Sequence, residues 1–246
     1  MMYVNVLPLL VTIEKIIKFR SFISLKDLSD YRYYHQLDTI TCHYNRDNFR
    51  IKYIECDNEY ARLTDRIEDD MDMKVNITKI QDHVPKSERN IHTIKEIFRV
   101  SYHRLPYKSI PGTIIKYMCM EDTWKLNLFP ANGGVSCYYS PQSILSDTSI
   151  DYNKKYQYTF GTYGKELDDP NTKNNIKAKS LDCLYLNPNF NLQGGHIVYD
   201  LVTKQAVTRR KFTKIPVIQL IIYQIHSLSK NDNIDTLKFS SKIGHN

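Results

Sequence analysis

The stretch Gln81–Lys108 constrains the fold more than any other, because it combines a helix start with a two-faced residue pattern. Pro85 suits the first turn of a helix, where a missing backbone N–H costs nothing. Apolar and polar residues then recur on separate faces at helical spacing. The apolar set is Ile91, Ile94, Phe98 and Tyr102, and the polar set is Glu88, His92, Lys95 and Arg99. The pattern predicts an amphipathic helix that begins at Pro85.

The polar face of this helix has two interpretations. An acid followed by a row of basic groups suits a metal-dependent enzyme that acts on phosphodiesters, because the acid can hold a divalent ion and the bases can contact phosphates. An ordinary surface helix with a solvated charged face shows the same pattern and is the more common case. The helix alone does not decide between them.

Two further stretches add specific motifs. Alternating apolar residues predict a strand within Phe49–Tyr60, and this strand ends in Cys56-Asp57-Asn58-Glu59. The block Asn127–Ser146 reads NLFPANGGVSCYYSPQSILS. Together with Val84–Arg89 and Leu105–Lys108, these motifs occur in the order in which they occur in the integrase of copia-type retrotransposons. The chain resembles that family over nearly its whole length.

The resemblance implies a catalytic site built from three carboxylates that hold two Mg²⁺ or Mn²⁺ ions. Asp57 and Glu88, 31 positions apart, match the second and third carboxylates. The first would fall immediately ahead of Met1, and the acids of the first helix do not match it. We therefore expect an N-terminally truncated core that binds the ions weakly or not at all. On the residues alone, Asp57 also suits a turn after a strand, and Glu88 suits the first turn of any helix.

The predicted elements of the first part follow the order strands, helix, strand, helix, strand, long helix. They are strands within Met1–Leu25, a helix over Lys26–Arg46, a strand over Phe49–Cys56, a short helix over Asn58–Arg66, a strand over Met73–Ile77, the helix from Pro85, a helix over Gly112–Leu128 and a helix start capped by Ser140. The resemblance, rather than periodicity, indicates that this order forms a ribonuclease-H-like fold.

The last third of the chain has a different character. Short strands are predicted over Lys154–Leu167, Leu181–Leu186, Gly195–Leu201 and Gln205–Phe212, followed by a helix over Ile215–Lys230 and a possible strand at Leu237–Phe239. Four or five short strands suggest a small barrel, and this region resembles the SH3-like domain that follows the integrase core. Its expected core includes Tyr158, Phe160, Leu184, Leu186 and Val198.

The expected fold class is therefore α/β plus all-β. It consists of a ribonuclease-H-like mixed sheet with flanking helices and a truncated first strand over residues 1–147, an SH3-like β-barrel over 148–213, and a C-terminal helix and tail over 214–246.

The charge distribution favours a polyanionic partner. The formal net charge is +7, and the residues from Lys155 onward carry 13 Lys or Arg against 7 Asp or Glu. The resemblance implies that the partner is double-stranded DNA, with Lys95 at the family's DNA-contacting position, and it allows a homo-oligomer. His92 and Arg99 on the same helix and the run Arg209-Arg210-Lys211 are further candidates for phosphate contacts. A soluble basic protein with solvated charge runs has the same composition.

The cysteines and the apolar runs argue against zinc-binding, disulfide-bonded and membrane-spanning proteins. Five scattered cysteines without a C-x-x-C spacing argue against a zinc site and a disulfide framework, and they fit a reducing cytoplasmic or nuclear compartment rather than secretion. The apolar runs Val4–Val11 and Ile215–Ile225 are too short to span a bilayer.

Three functions are compatible with these observations. The leading hypothesis is a fragment of a copia-type integrase, which in the family performs Mg²⁺-dependent 3′-processing and strand transfer. The second is a catalytically dead remnant that binds DNA or protein. The third, a nuclease unrelated to transposition, leaves the Phe129–Gly134 block unexplained.

Overall fold

The computed structural model describes residues 1–78, 85–167, 180–189 and 194–240. The chain divides into two compact units. The first comprises Met1–Ile97, Thr123–Ser149 and Lys238–Asn246, and the second comprises Phe98–Asp122 and Ile150–Leu237. The domain boundaries predicted at 147 and 213 stay predictions.

The described residues form a mixed α/β structure, as predicted. The strands are β1 (Met2–Val4), β2 (Leu7–Ile13), β3 (Arg20–Ser24), β4 (Tyr53–Cys56), β5 (Lys74–Ile77), β6 (Tyr163–Leu167), β7 (Ser180–Pro188), β8 (His196–Asp200), β9 (Ala206–Arg209), β10 (Phe212–Lys214) and β11 (Phe239–Ser240). The helices are α1 (Asp30–Arg46), α2 (Thr64–Met71), α3 (Pro85–Arg104), α4 (Gly112–Leu126), α5 (Pro141–Ser146), α6 (Tyr152–Lys155) and α7 (Gln219–Asn231), with a 3₁₀ helix at Asn58–Leu63. No helix in this described part of the chain is long and apolar enough to cross a membrane.

Several element boundaries differ from the predicted ones for local reasons. Helix α1 begins at Asp30 rather than Lys26, because the Ser29 side chain caps it by accepting a hydrogen bond from the Arg32 N–H. The strand predicted over Lys154–Leu167 is the short helix α6 followed by β6. The strand predicted over Gln205–Phe212 is two strands, β9 and β10. The predicted cap at Ser140 is confirmed: its side chain accepts from the Ser143 N–H, with Pro141 at the first helical position.

The first unit contains two sheets. Strands β11, β1, β2 and β3 form an antiparallel sheet in that order, whereas β4 and β5 pair with each other in parallel. The element order on which the ribonuclease-H-like prediction relied is present. The predicted continuous mixed sheet is not observed among the described residues, because the edge of β1 pairs with β11 instead of with β4 or β5.

The core of the first unit lies between α1, the 3₁₀ helix, α2 and the sheets. Its buried residues are Leu10, Ile17, Phe19, Leu25, Tyr33, Leu37, Ile40, Tyr44, Tyr60, Leu63, Ile67, Met73 and Leu145. Each fully buried Leu or Ile stabilises the fold by about 1.5–3 kcal/mol relative to an exposed side chain. Leu37, Ile40 and Tyr44 recur at three- and four-residue spacing, which explains why α1 packs by one face.

The second unit contains a five-stranded antiparallel sheet in the order β10-β6-β7-β8-β9. Four of the five predicted core residues are buried, and Tyr158 packs, partly buried, against Tyr185 and Phe212. The predicted closed barrel is not observed among the described residues, because no ladder joins β9 to β10. Only Arg210 and Lys211 separate these two edge strands, so their facing ends lie within about 11 Å of each other. The sheet is therefore strongly curled but open.

Gly164 tests the pairing of β6 with β10. A Cβ on Gly164 would overlap the Thr213 carbonyl oxygen and lie 2.5 Å from the Phe212 ring. We expect Gly164→Ala to destabilise the protein by about 1–3 kcal/mol, because the strands cannot approach without displacing Phe212. Thermal and urea unfolding measure this loss.

Gly194→Ala is the matched control for this prediction. Gly194 has a φ of +72°, and no atom of the described residues lies within 4 Å of the added Cβ, so the substitution introduces backbone strain without a clash against them. We expect the Gly164 variant to be the less stable of the two. The reverse order would contradict the assigned packing of β6 on β10.

Candidate functional site

Asp57 lies directly after β4, at the point where this strand meets the 3₁₀ helix. Its backbone is extended and its side chain makes no capping hydrogen bond, so the carboxylate is not used to begin the helix. Beside it, the Thr78 N–H and hydroxyl both donate to the Cys56 carbonyl, at 3.0 and 3.3 Å, which extends the pairing of β4 with β5. The side chain of Asp57 is 54% exposed. Asp57 is thus a fixed, solvent-accessible carboxylate at the end of a strand.

The amino nitrogen of Met1 lies 3.8 Å from the Asp57 carboxylate. Strand β1 follows immediately, and its three residues are all buried, so this point of the chain is well held. The position directly ahead of Met1 is therefore adjacent to Asp57. This is the position at which the resemblance expects the first carboxylate.

Cys56, next to Asp57, is a poor nucleophile. Burial, helped by the neighbouring Asp57 charge, raises the pKa of the Cys56 thiol to about 11. The thiol therefore stays protonated at neutral pH, whereas nucleophilic attack requires the thiolate.

Glu88 lies in the first turn of α3, and its side chain is exposed. Among the described residues, no group of three or more His, Cys, Asp or Glu side chains is placed to hold a metal ion. The pairing of Asp57 with Glu88 around a shared ion stays a prediction.

The polar face of α3 is arranged as the spacing predicts. The buried residues Ile94, Phe98 and Tyr102 form the apolar stripe, while Ile91 is only partly buried. His92 is 76% exposed and lies 4.0 Å from Glu96 one turn later. Arg99 is exposed as well.

Lys95 is partly buried and contacts the C-terminal strand. Its ammonium lies 5.9 Å from the centre of the Phe239 ring in β11. β11 is held in place by pairing with β1, and by two 2.7 Å hydrogen bonds between Asn5 and Lys238. Lys95 is thus positioned by the same strand that covers the edge of β1.

The three residues of the predicted basic run, Arg209-Arg210-Lys211, have different environments in the structure. Arg209 forms an ion pair at 3.1 Å with Glu166, which is buried in the curled sheet. This pair neutralises a buried carboxylate, so removing Arg209 would leave an uncompensated charge. Arg210 and Lys211 are exposed in the link between β9 and β10. Arg209 has a structural role that the charge run did not reveal.

A buried polar cluster in the first unit was not found from the sequence. Arg20 in β3 donates from Nε to the Asn90 side-chain oxygen at 2.8 Å. The Asn127 side chain bonds the Arg20 backbone twice, accepting from its N–H and donating to its carbonyl, each at 2.8 Å. The Asn127 carbonyl accepts from the Gln142 N–H at 2.9 Å. Burial lowers the pKa of the Arg20 guanidinium, which remains cationic because its usual value is so high.

This cluster explains how α3 is oriented. Asn90 is two residues after Glu88 and five before Lys95, so its bond to β3 helps the buried apolar stripe to fix which side of α3 faces solvent. Asn90 and Asn127 are only 4% and 2% exposed, which is unusual for Asn. Their burial, which only the structure shows, is what marks them as structurally important. No periodicity in the sequence marks these two residues.

The comparisons with known proteins provide no family assignment. No protein-family model and no curated protein matches the sequence. Among solved structures, the chain is similar to one in the cryo-EM structure of the simian T-cell lymphotropic virus intasome in complex with the PP2A regulatory subunit B56 gamma. The identity is 13% and the TM-score is 0.42, over 86% of this chain and 76% of that one.

Asn127→Ala tests the polar cluster. The substitution leaves the Arg20 backbone N–H and carbonyl without their buried partner, so we expect a loss of about 2–4 kcal/mol in the free energy of unfolding. Urea unfolding measures the change. The matched control is Asn45→Ala on the exposed side of α1, which should change the stability by less than about 0.5 kcal/mol. Equal losses in the two variants would refute the role assigned to Asn127.

Proposed function

We propose that this chain is a DNA-binding protein of the copia-type integrase kind, with α3 as a DNA-contacting helix and Asp57 with Glu88 as two ligands of a metal site. The observation that carries the proposal is the 3.8 Å separation between the Met1 amino group and Asp57. The motifs place the family's first carboxylate directly ahead of Met1. The distance between Met1 and Asp57 supports this assignment, because a residue ahead of Met1 would lie next to Asp57.

The metal site would work through shared carboxylates. In a two-metal site, one ion activates the attacking water or 3′-hydroxyl, and the other stabilises the leaving oxygen. In this chain Asp57 and Glu88 would hold the ions, with Mg²⁺ keeping several of its waters. Two carboxylates supply less negative charge than three, so the polypeptide Met1–Asn246 tested by itself should hold the ions weakly. This polypeptide, tested by itself, should bind DNA without joining it.

DNA binding would depend on charges other than the metal ligands. On α3, beyond Glu88, His92 is exposed and Lys95 is partly exposed. The link residues Arg210 and Lys211 give the second unit a separate pair of exposed cations. The curled five-stranded sheet that carries them supports an SH3-like domain, since its last strand returns to pair with its first. Contacts of this kind release counterions, so the affinity should fall steeply with salt and show little sequence preference.

Lys95→Glu tests the DNA-contacting helix. Charge reversal removes one phosphate contact and adds repulsion, so we expect the affinity for a duplex to fall about tenfold and the salt slope to fall by about 0.9. Fluorescence anisotropy with a labelled duplex over a salt series measures both values.

Lys52→Glu is the matched control, because Lys52 is exposed in the same unit and the net charge changes equally. We expect this variant to lose little affinity. Equal losses in the two variants would show that binding follows net charge and that α3 is not the interface. An absence of salt-sensitive binding by the unmodified chain would refute the proposed function as a whole.

An added carboxylate tests the metal site. We compare the chain extended by one Asp ahead of Met1 with the chain extended by one Asn. The Asp extension should bind Mn²⁺ at least about tenfold more tightly, because it restores a third carboxylate beside Asp57, and Asp57→Asn should abolish this gain. Electron paramagnetic resonance measures the free Mn²⁺.

Strand joining is assayed on the same preparations. We expect no Mg²⁺-dependent joining by the unextended chain. Joining by that chain would place the first carboxylate elsewhere in the sequence. Equal Mn²⁺ affinity of the Asp and Asn extensions would refute Asp57 as a metal ligand.

A further inference from the structure

The segment Phe129–Tyr139, which we name the aromatic loop, presents two exposed tyrosines. Tyr138 is 87% exposed and Tyr139 is 67% exposed, and Val135 in the same loop is 62% exposed. The block Asn127–Ser146 that contains the loop has no Asp, Glu, Lys or Arg. Adjacent exposed aromatic side chains form a contiguous apolar patch, and such patches mark contact surfaces, so the loop is a candidate contact surface.

The aromatic loop is held in a defined shape. The Gly134 N–H donates to the Ala131 carbonyl at 3.0 Å. The Ser136 hydroxyl accepts from the backbone N–H groups of Tyr138 and Tyr139, at 3.1 and 2.9 Å. These bonds fix the backbone of both tyrosines, so their rings are presented with little loss of chain entropy on binding.

The two ends of the loop are also anchored. The Asn127 carbonyl accepts from the Gln142 N–H, and Asn127 itself is bonded to Arg20 in β3. At the other end, Ser140 caps α5. Both ends of the aromatic loop are therefore fixed to the rest of the first unit by hydrogen bonds.

The neighbouring β2–β3 hairpin adds positive charge. The Cγ atom of Lys18 lies 3.6 Å from the position that a Cβ on Gly134 would take. The Lys18 ammonium donates to the Lys15 carbonyl at 2.6 Å, so the two lysines lie together at the hairpin tip. The acid of this hairpin, Glu14, accepts from the N–H groups of Ile16 and Ile17, at 2.7 and 2.5 Å. Exposed aromatic rings and nearby lysines suit a ligand that combines flat ring faces with negative charge, as a nucleic acid does.

We propose that the aromatic loop binds unpaired nucleotides at the end of a DNA duplex, with Tyr138 and Tyr139 stacking on bases and Lys15 and Lys18 contacting phosphates. Stacking on an aromatic side chain requires an accessible base face, which internal base pairs of a duplex do not offer. This inference rests on the proposed function, because a protein that handles DNA ends meets frayed or overhanging nucleotides. To the proposed function it adds that the loop would recognise unpaired nucleotides at the DNA end.

The probe is a fluorescein-labelled DNA hairpin with a 3′ overhang of about eight nucleotides, compared with the same hairpin with a blunt end. The unmodified chain should bind the overhang hairpin more tightly. Tyr138→Ala with Tyr139→Ala should lower the affinity for the overhang hairpin by at least about fivefold per tyrosine, since each stacked base contributes that much. The affinity for the blunt hairpin should not change.

Tyr138→Phe with Tyr139→Phe is the matched control, because stacking needs the ring and not the hydroxyl. This variant should keep the overhang affinity. Lys18→Ala should lower the salt dependence of overhang binding. The thermal unfolding midpoints of all loop variants should equal that of the unmodified chain, since both tyrosines are exposed.

The outcomes separate this inference from the proposed function. If the Ala variant binds the overhang hairpin as tightly as the unmodified chain, while Lys95→Glu still weakens blunt-duplex binding, the loop inference fails and the proposed function stands. Loss of self-association in the Ala variant, with overhang affinity unchanged, would mark the loop as a protein contact and also overturn the inference. No DNA binding by the unmodified chain would refute both.

Discussion

Two hydrogen bonds between the Asn127 side chain and the Arg20 backbone, with one from Arg20 to Asn90, connect β3, α3 and the aromatic loop in the first unit. Asn127 pairs with both backbone groups of Arg20, and the Arg20 side chain reaches Asn90 in α3. One buried cluster therefore helps to fix the solvent side of α3 and the base of the aromatic loop. Buried polar groups of this kind are costly when unpaired, which makes the arrangement specific as well as stable. The two surfaces proposed to contact DNA are thus oriented in part by the same three residues.

The edge of β1 brings distant parts of the sequence together. The residue before β1, Met1, lies beside Asp57, which follows β4. The edge of β1 that does not pair with β2 pairs with β11, near the end of the chain. Phe239 of β11 then lies under the Lys95 ammonium. Because an open strand edge attracts further strands, β11 also protects β1 from pairing with other chains. The proposed metal site and the proposed DNA contact of α3 are both next to this covered edge.

In the second unit, a buried ion pair shows that one residue of the basic run has a structural role. Glu166 is fully buried and Arg209 neutralises it, so Arg209 supports the curled sheet. Only Arg210 and Lys211 remain as exposed cations in that run. The sequence shows three adjacent basic residues, and the structure separates them by what each side chain contacts.

The sequence by itself determined the local structure. The cap at Ser140, the start of α3 at Pro85 and its apolar stripe all follow from propensity and spacing within a few residues. The motifs also selected Asp57 and Glu88 as candidate ligands. Tertiary structure decided the pairing of β11 with β1, the open edges of the five-stranded sheet, the role of Asn127 and the contact between Met1 and Asp57. These contacts join residues far apart in the chain, where backbone pairing and burial rather than local preference determine the partner. A single sequence contains no period or spacing that marks them.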